Sequence, residues 1–77
     1  MPHVVVKLLA GRSEQQKGRL AAQLVKDVMT ILNCGEESIS VTIEDIKAGD
    51  WAEKVYNAKI APNREKLYKK PGYNPFE

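Results

Sequence analysis

The side chains that most often do chemistry are scarce in this 77-residue chain: histidine and cysteine occur once each, as His3 and Cys34. One copy of each excludes a histidine-pair metal motif and a cysteine cage within a single chain, and it excludes an intramolecular disulfide. His3 stands in an apolar run, where an ordinary strand residue is the simpler role, and Cys34, beside Gly35 at an expected helix end, reads as structural. GRSEQQKG has neither the glycine spacing nor the Lys-Ser/Thr pair of a phosphate-binding loop. What is left is Pro2, in the opening stretch MPHVVVKLL.

A proline can open a strand without losing a needed hydrogen bond, because the first residue need not donate to the ladder. It can also do chemistry. Removal of Met1, favoured when a small residue follows, leaves Pro2 as a free N-terminus whose secondary amine is both a base and a nucleophile. Burial in an apolar pocket beside cations disfavours the protonated amine and brings its pKa toward neutral, where general-base catalysis works best.

The elements that must position these residues follow from periodicity. HVVVKLLA is rich in β-branched residues over a strand's length, with Val4, Val6 and Leu8 on one face and Val5, Lys7 and Leu9 on the other. After the AGR turn, SEQQ is a capping box: the Ser13 hydroxyl can accept from the Gln16 amide while the Gln16 side chain reaches back. A helix is predicted from there, with Leu20, Ala21, Leu24, Val28, Ile31 and Leu32 at helical spacing. It should stop near NCG, with Gly35 in the left-handed conformation. SISVTIEDI alternates again, Ile39, Val41 and Ile43 against Ser40, Thr42 and Glu44, and is a second strand. Strand, helix and strand make a right-handed βαβ unit with parallel strands. Asp50 and Glu53 in AGDWAE suggest a second capped helix from about Trp51 to Ala61, which Pro62 either kinks or follows with a new helix carrying NREKLYKK.

The fold class is therefore α+β, a βαβ unit with a C-terminal helical segment, in one domain spanning residues 1–77. A chain this short buries only ~60% of its unfolded surface and needs a further staple. A lone βαβ unit also leaves a sheet face and two strand edges open. Oligomerisation is the remedy available, so the sheet is expected to be completed by a homodimer, with a site that can draw on both subunits.

The net charge of +2 arises from 12 basic and 10 acidic residues mixed along the chain, which is not the pattern of a nucleic-acid binder. EKLYKK is the one basic stretch with an interleaved aromatic, and it reads as a solvated helix end. The longest apolar runs fall far short of the ~20 residues of a membrane span. A single thiol and no signal-peptide pattern predict a cytoplasmic protein.

Taken together, MP before an apolar strand, GRSEQQK leading into the first helix, SISVTIED and AGDW resemble the 4-oxalocrotonate tautomerase family over about the first fifty residues. The ending IAPNREKLYKKPGYNPFE and the overall length are most similar to its short dimeric bacterial branch, the PptA-type tautomerases. The resemblance implies an isomerase that needs no cofactor or metal and acts on a small enol or keto acid. Pro2 matches the catalytic N-terminal proline, which moves a proton between oxygen and carbon of a 2-hydroxydienoate or enolpyruvate. Arg12 matches the arginine that binds a substrate carboxylate or polarises the carbonyl, for which a planar guanidinium is suited. Trp51 matches the aromatic wall of the site.

One position departs from the family pattern: Ser40 stands where a second arginine is common. Loss of that cation argues against a dicarboxylate and for a monocarboxylate with an apolar tail, of the phenylenolpyruvate type. Two other readings stay open, a non-catalytic βαβ interaction module and a dehalogenase or decarboxylase whose proline is protonated and acts as an acid. The tail, with Leu67, Tyr68, Tyr73 and Phe76 as apolar anchors, is absent from the family's shorter hexamers, and is expected to cover surface those relatives use for stacking.

Overall fold

The computed structural model describes residues 1–76, which divide into two compact units, Met1–Asp45 and the residues from Ile46 onward. The first unit contains β1 (His3–Leu9), α1 (Glu14–Leu32), a 3-10 turn (Glu36–Ser38) and most of β2 (Ser40–Ile46). β1 and β2 form a two-stranded parallel sheet. Two side-chain pairs fix its register: His3 bonds Ser40 and Lys7 pairs with Glu44, each 37 positions apart. The strand-helix-strand order and the faces of β1 are as the alternation predicts. Val4, Val6, Leu8, Val41 and Ile43 are half-buried, whereas Val5 and Leu9 are 47% and 50% exposed on the other face beside Ser40 and Thr42.

The β1–α1 turn depends on Gly11, whose φ of 121° is a conformation that L side chains rarely adopt. Ser13 then caps α1 with the full capping box, Gln16 N–H donating to Ser13 Oγ at 3.1 Å and Ser13 N–H to Gln16 Oε1 at 3.1 Å. The half-buried stripe of α1 is Ala21, Leu24, Val25, Val28 and Met29; Leu20, Ile31 and Leu32, placed on the apolar face by spacing alone, are exposed. The helix stop also differs from expectation. Asn33, not Gly35, takes the left-handed conformation at φ 54°, and the N–H groups of Asn33 and Cys34 both donate to the Met29 carbonyl. Asparagine tolerates this conformation, and Gly35 is left extended to open the next turn.

Lys17 ties α1 to β2. Its Nζ lies 2.8 Å from both Glu14 and Asp45, and its side chain is only 14% exposed. The hydrogen bond to Asp45, and then that to Glu14, raise its pKa above the ordinary 10.5. Because the folded state holds this proton more tightly than the unfolded chain, the contribution is complete below 10.5 and fades as pH rises through the raised value. The gap in urea midpoint between wild type and Lys17→Met is therefore expected to stay constant through neutral pH and to close above 10.5. A gap that widens there would contradict the assignment.

The second unit continues from β2 into an α turn (Ala48–Asp50), a wide π-helical stretch (Trp51–Ile60) and a 3-10 stretch (Ala61–Lys66). The helix thus starts three residues before the expected Trp51, and Asp50 does not cap it. Asp50 lies inside the first turn, where its carboxylate pairs with Lys54 at 3.3 Å. Pro62 sits at the head of the 3-10 stretch, and the kink that follows falls at Asn63, whose side-chain amide donates to the Lys59 carbonyl at 2.8 Å.

Among the described residues, only Val55 and Tyr56 are buried, at 5% and 7% exposure, and no residue of Met1–Asp45 is. A hydrophobic contribution that scales with the area removed from water is correspondingly small for one isolated chain. Within the second unit, Tyr56 packs against Tyr73 and Phe76, with ring centroids 5.8 Å and 6.1 Å apart. Leu67 is half-buried, whereas Tyr68, at 107% exposure, anchors nothing within the chain.

Candidate active site

Pro2 is half-buried at the head of β1, and the Ser40 N–H donates to its carbonyl at 3.2 Å. The residue is therefore held through its oxygen, and its nitrogen, lacking N–H, takes no part in the ladder. Met1 precedes it, fully exposed, and while Met1 is attached that nitrogen is an amide and not a base. Ser40 lies beside Pro2 across the parallel pair. Its hydroxyl forms a 2.6 Å hydrogen bond with His3 Nδ1 on the open sheet face. Sequence reasoning left His3 as an ordinary strand residue. The signal that brings it to Pro2 and Ser40 is the shared 37-residue register, which alternation alone does not reveal.

Arg12 follows the other end of β1. It lines a recess of about 170 Å³ with Leu8, Gln16, Lys17 and Leu20, next to the first turn of α1. The helix N-terminus favours negative charge there. Lys17 is already paired with Glu14 and Asp45, whereas no salt bridge among the described residues involves Arg12. The guanidinium is thus the cation available to an incoming carboxylate. Seven strand residues separate Pro2 from this turn, which at ~3.3 Å per residue is roughly 23 Å. One chain brings Pro2 and Ser40 together but keeps Arg12 away from both.

Trp51 belongs to the second unit, half-buried at the head of the π-helical stretch, with its Nε1–H donating to the Tyr73 hydroxyl at 2.9 Å. Tyr73 is the residue here that sequence reasoning assigned to packing alone. Cys34 is half-buried with Sγ 4.0 Å from the Val28 carbonyl, in keeping with a structural role. Among the described residues, no cluster of three or more His, Cys, Asp or Glu side chains is arranged as a metal site, and no helix is long and apolar enough to cross a membrane.

Comparison with known proteins adds three kinds of likeness. Residues 2–55 match the family model described as tautomerase enzyme, a segment that includes Pro2, Arg12, Ser40 and Trp51. A probable tautomerase of Xylella fastidiosa (strain 9a5c) is 40% identical over 73 residues, covering 95% of this chain and 89% of the relative. Tautomerase PptA of Escherichia coli (strain K12 / DH10B) is 39% identical over 75 residues, 96% of each chain. Among solved structures, TomN, a 4-oxalocrotonate tautomerase homologue in the tomaymycin biosynthetic pathway, superposes with a TM-score of 0.64 at 28% identity, covering 83% of this chain and 95% of TomN.

Proposed function

This chain belongs to the tautomerase family, and on that premise we propose that it ketonises a 2-hydroxydienoate or an enolpyruvate-type monocarboxylate such as phenylenolpyruvate, with Pro2 as the general base. Tautomerases are isomerases, so family membership sets aside the non-catalytic module. The observation that carries the finer reading is the anchorage of Pro2: its carbonyl is held by Ser40 at 3.2 Å while its nitrogen remains outside the ladder. Removal of Met1 frees an amine that is already fixed in place.

The reaction balances without a cofactor. The Pro2 amine takes the proton of the enol hydroxyl as the oxygen closes to a carbonyl, and the electron pair of the carbon–carbon double bond takes that proton back from the prolinium at the neighbouring carbon. Arg12 holds the carboxylate by a bidentate, charge-assisted contact. Trp51 supplies an aromatic wall. Ser40, neutral where a second cation would bind a second carboxylate, favours a singly charged acid.

A recess of about 170 Å³ is smaller than the ~300–1,000 Å³ typical of ligand pockets, and Pro2 lies a strand's length from it. Both shortfalls support a homodimer. Each strand of the sheet has one unpaired edge. A second copy laid along the free edge of β1 by two-fold symmetry runs antiparallel, which brings the partner's arginine turn toward Pro2. Each chain is then one tautomerase-like domain over residues 1–77 whose core is completed by the partner, in the cytoplasm, where a lone thiol stays reduced.

The test is an enol-absorbance assay on protein whose loss of Met1 is verified by mass. Accelerated ketonisation of phenylenolpyruvate is the expected result. If neither that acid nor 2-hydroxypenta-2,4-dienoate, a singly charged hydroxydienoate, is converted faster than in buffer, the reading fails.

A further inference from the structure

Trp51 is the only tryptophan of the chain. Its indole has one hydrogen-bond donor and no acceptor, and that donor is directed at the Tyr73 hydroxyl, 2.9 Å away. Tyr73 in turn is held by its ring, tilted 55° against Tyr56 at 5.8 Å, and Tyr56 is one of the two buried residues of the chain's described part. Phe76 meets the same Tyr56 ring nearly edge-on, at 72°. What curls the tail so that both aromatics reach one ring is local: Asn74 Oδ1 accepts from the Phe76 N–H at 2.9 Å, the two-residue side-chain turn that asparagine favours.

The chain of contacts runs from a buried tyrosine, through the ring of a second, to the single polar atom of the indole. A ring held at one edge by packing alone retains freedom about its χ angles, and a hydrogen bond to Nε1 removes it. Apolar burial does not supply this restraint, because Trp51 is only half-buried.

We propose that Tyr73 is a positioning residue for Trp51, and that the tail segment Pro71–Phe76 thereby selects enol acids bearing a flat aromatic substituent over compact aliphatic ones. The proposal rests on the reading of Trp51 as the wall of the substrate site. Tyr73 touches no reacting atom; it fixes the angle of the surface on which the substrate's ring lies, and it acts on binding rather than on proton transfer.

Tyr73→Phe tests this with little disturbance, since the ring against Tyr56 is kept and only the hydroxyl is lost. In processed, ligand-free protein, the emission maximum of Trp51 should shift and its quenching by acrylamide should rise. KM for phenylenolpyruvate should increase by about three- to tenfold, the effect of one lost hydrogen bond, with kcat unchanged and KM for the enol of pyruvate unchanged. In a Trp51→Phe background, Tyr73→Phe should add nothing to KM. Unchanged emission together with unchanged KM overturns the proposal. So does an equal loss for both acids, or a full effect of Tyr73→Phe without Trp51. A wild-type enzyme that converts neither acid defeats the functional reading instead, and the emission measurement still decides by itself whether Tyr73 holds Trp51.

Discussion

Pro2→Ala, in protein from which Met1 has been removed, is expected to slow ketonisation of phenylenolpyruvate by about 10²–10⁴-fold, the range for a lost general base. Alanine leaves a primary amine at the same place but not the rigid secondary amine of the ring. Retention of Met1 on the wild-type sequence should cost at least as much, because the nitrogen is then an amide. The pH profile gives the sign of the role. A base must be unprotonated, so kcat/KM rises with pH through the amine's pKa; a proline working as an acid, as in the dehalogenase or decarboxylase reading, gives a rate that falls instead. Unaltered turnover by correctly processed Pro2→Ala protein would exclude Pro2 from the chemistry.

Arg12→Ala should lower kcat/KM by about ten- to a hundredfold, the value of a charge-assisted contact to a carboxylate, and Arg12→Lys should restore only part of it because the planar fork is lost. The separation of roughly 23 Å between Pro2 and the arginine turn makes a stronger test possible. If each site takes its proline from one chain and its arginine from the other, the two inactive variants complement each other. After joint unfolding and refolding, half the dimers are mixed, and one of the two sites in each mixed dimer carries neither substitution. Roughly a quarter of the wild-type rate should return. Failure of the mixture to regain activity, with mixed dimers verified by mass, would mean that the two residues do not meet in one site.

Local features were legible in the sequence, and features set by distant packing were not. The capping box at Ser13 and Gln16 needs only four consecutive residues, and it forms as the spacing predicts. The alternation of β1 is equally local. The Asp50–Glu53 spacing suggested a helix from about Trp51 without its type, and its inward residues, Trp51, Ala52, Val55, Tyr56 and Ile60, fit a spacing of three to four as well as one of five. The i→i+5 bonding of a π-helix therefore shows only in the structure, where the Ala61 N–H donates to the Tyr56 carbonyl. The His3–Ser40 and Trp51–Tyr73 bonds span 37 and 22 positions, and no periodicity reports contacts between elements whose register is set by packing. Of the candidate site, Pro2, Arg12 and Trp51 are proposed from the sequence, while the neighbours that hold Pro2 and Trp51 were not visible in it.

The 37-residue offset between the paired strands also sets an order of events during synthesis. Pro2 is made before Ser40, whose N–H holds the Pro2 carbonyl. At ~5–20 residues per second, the strand partner follows about two to seven seconds later. Until then β1 has no strand partner within the chain, and the apolar face carrying Val4, Val6 and Leu8 has no sheet to join.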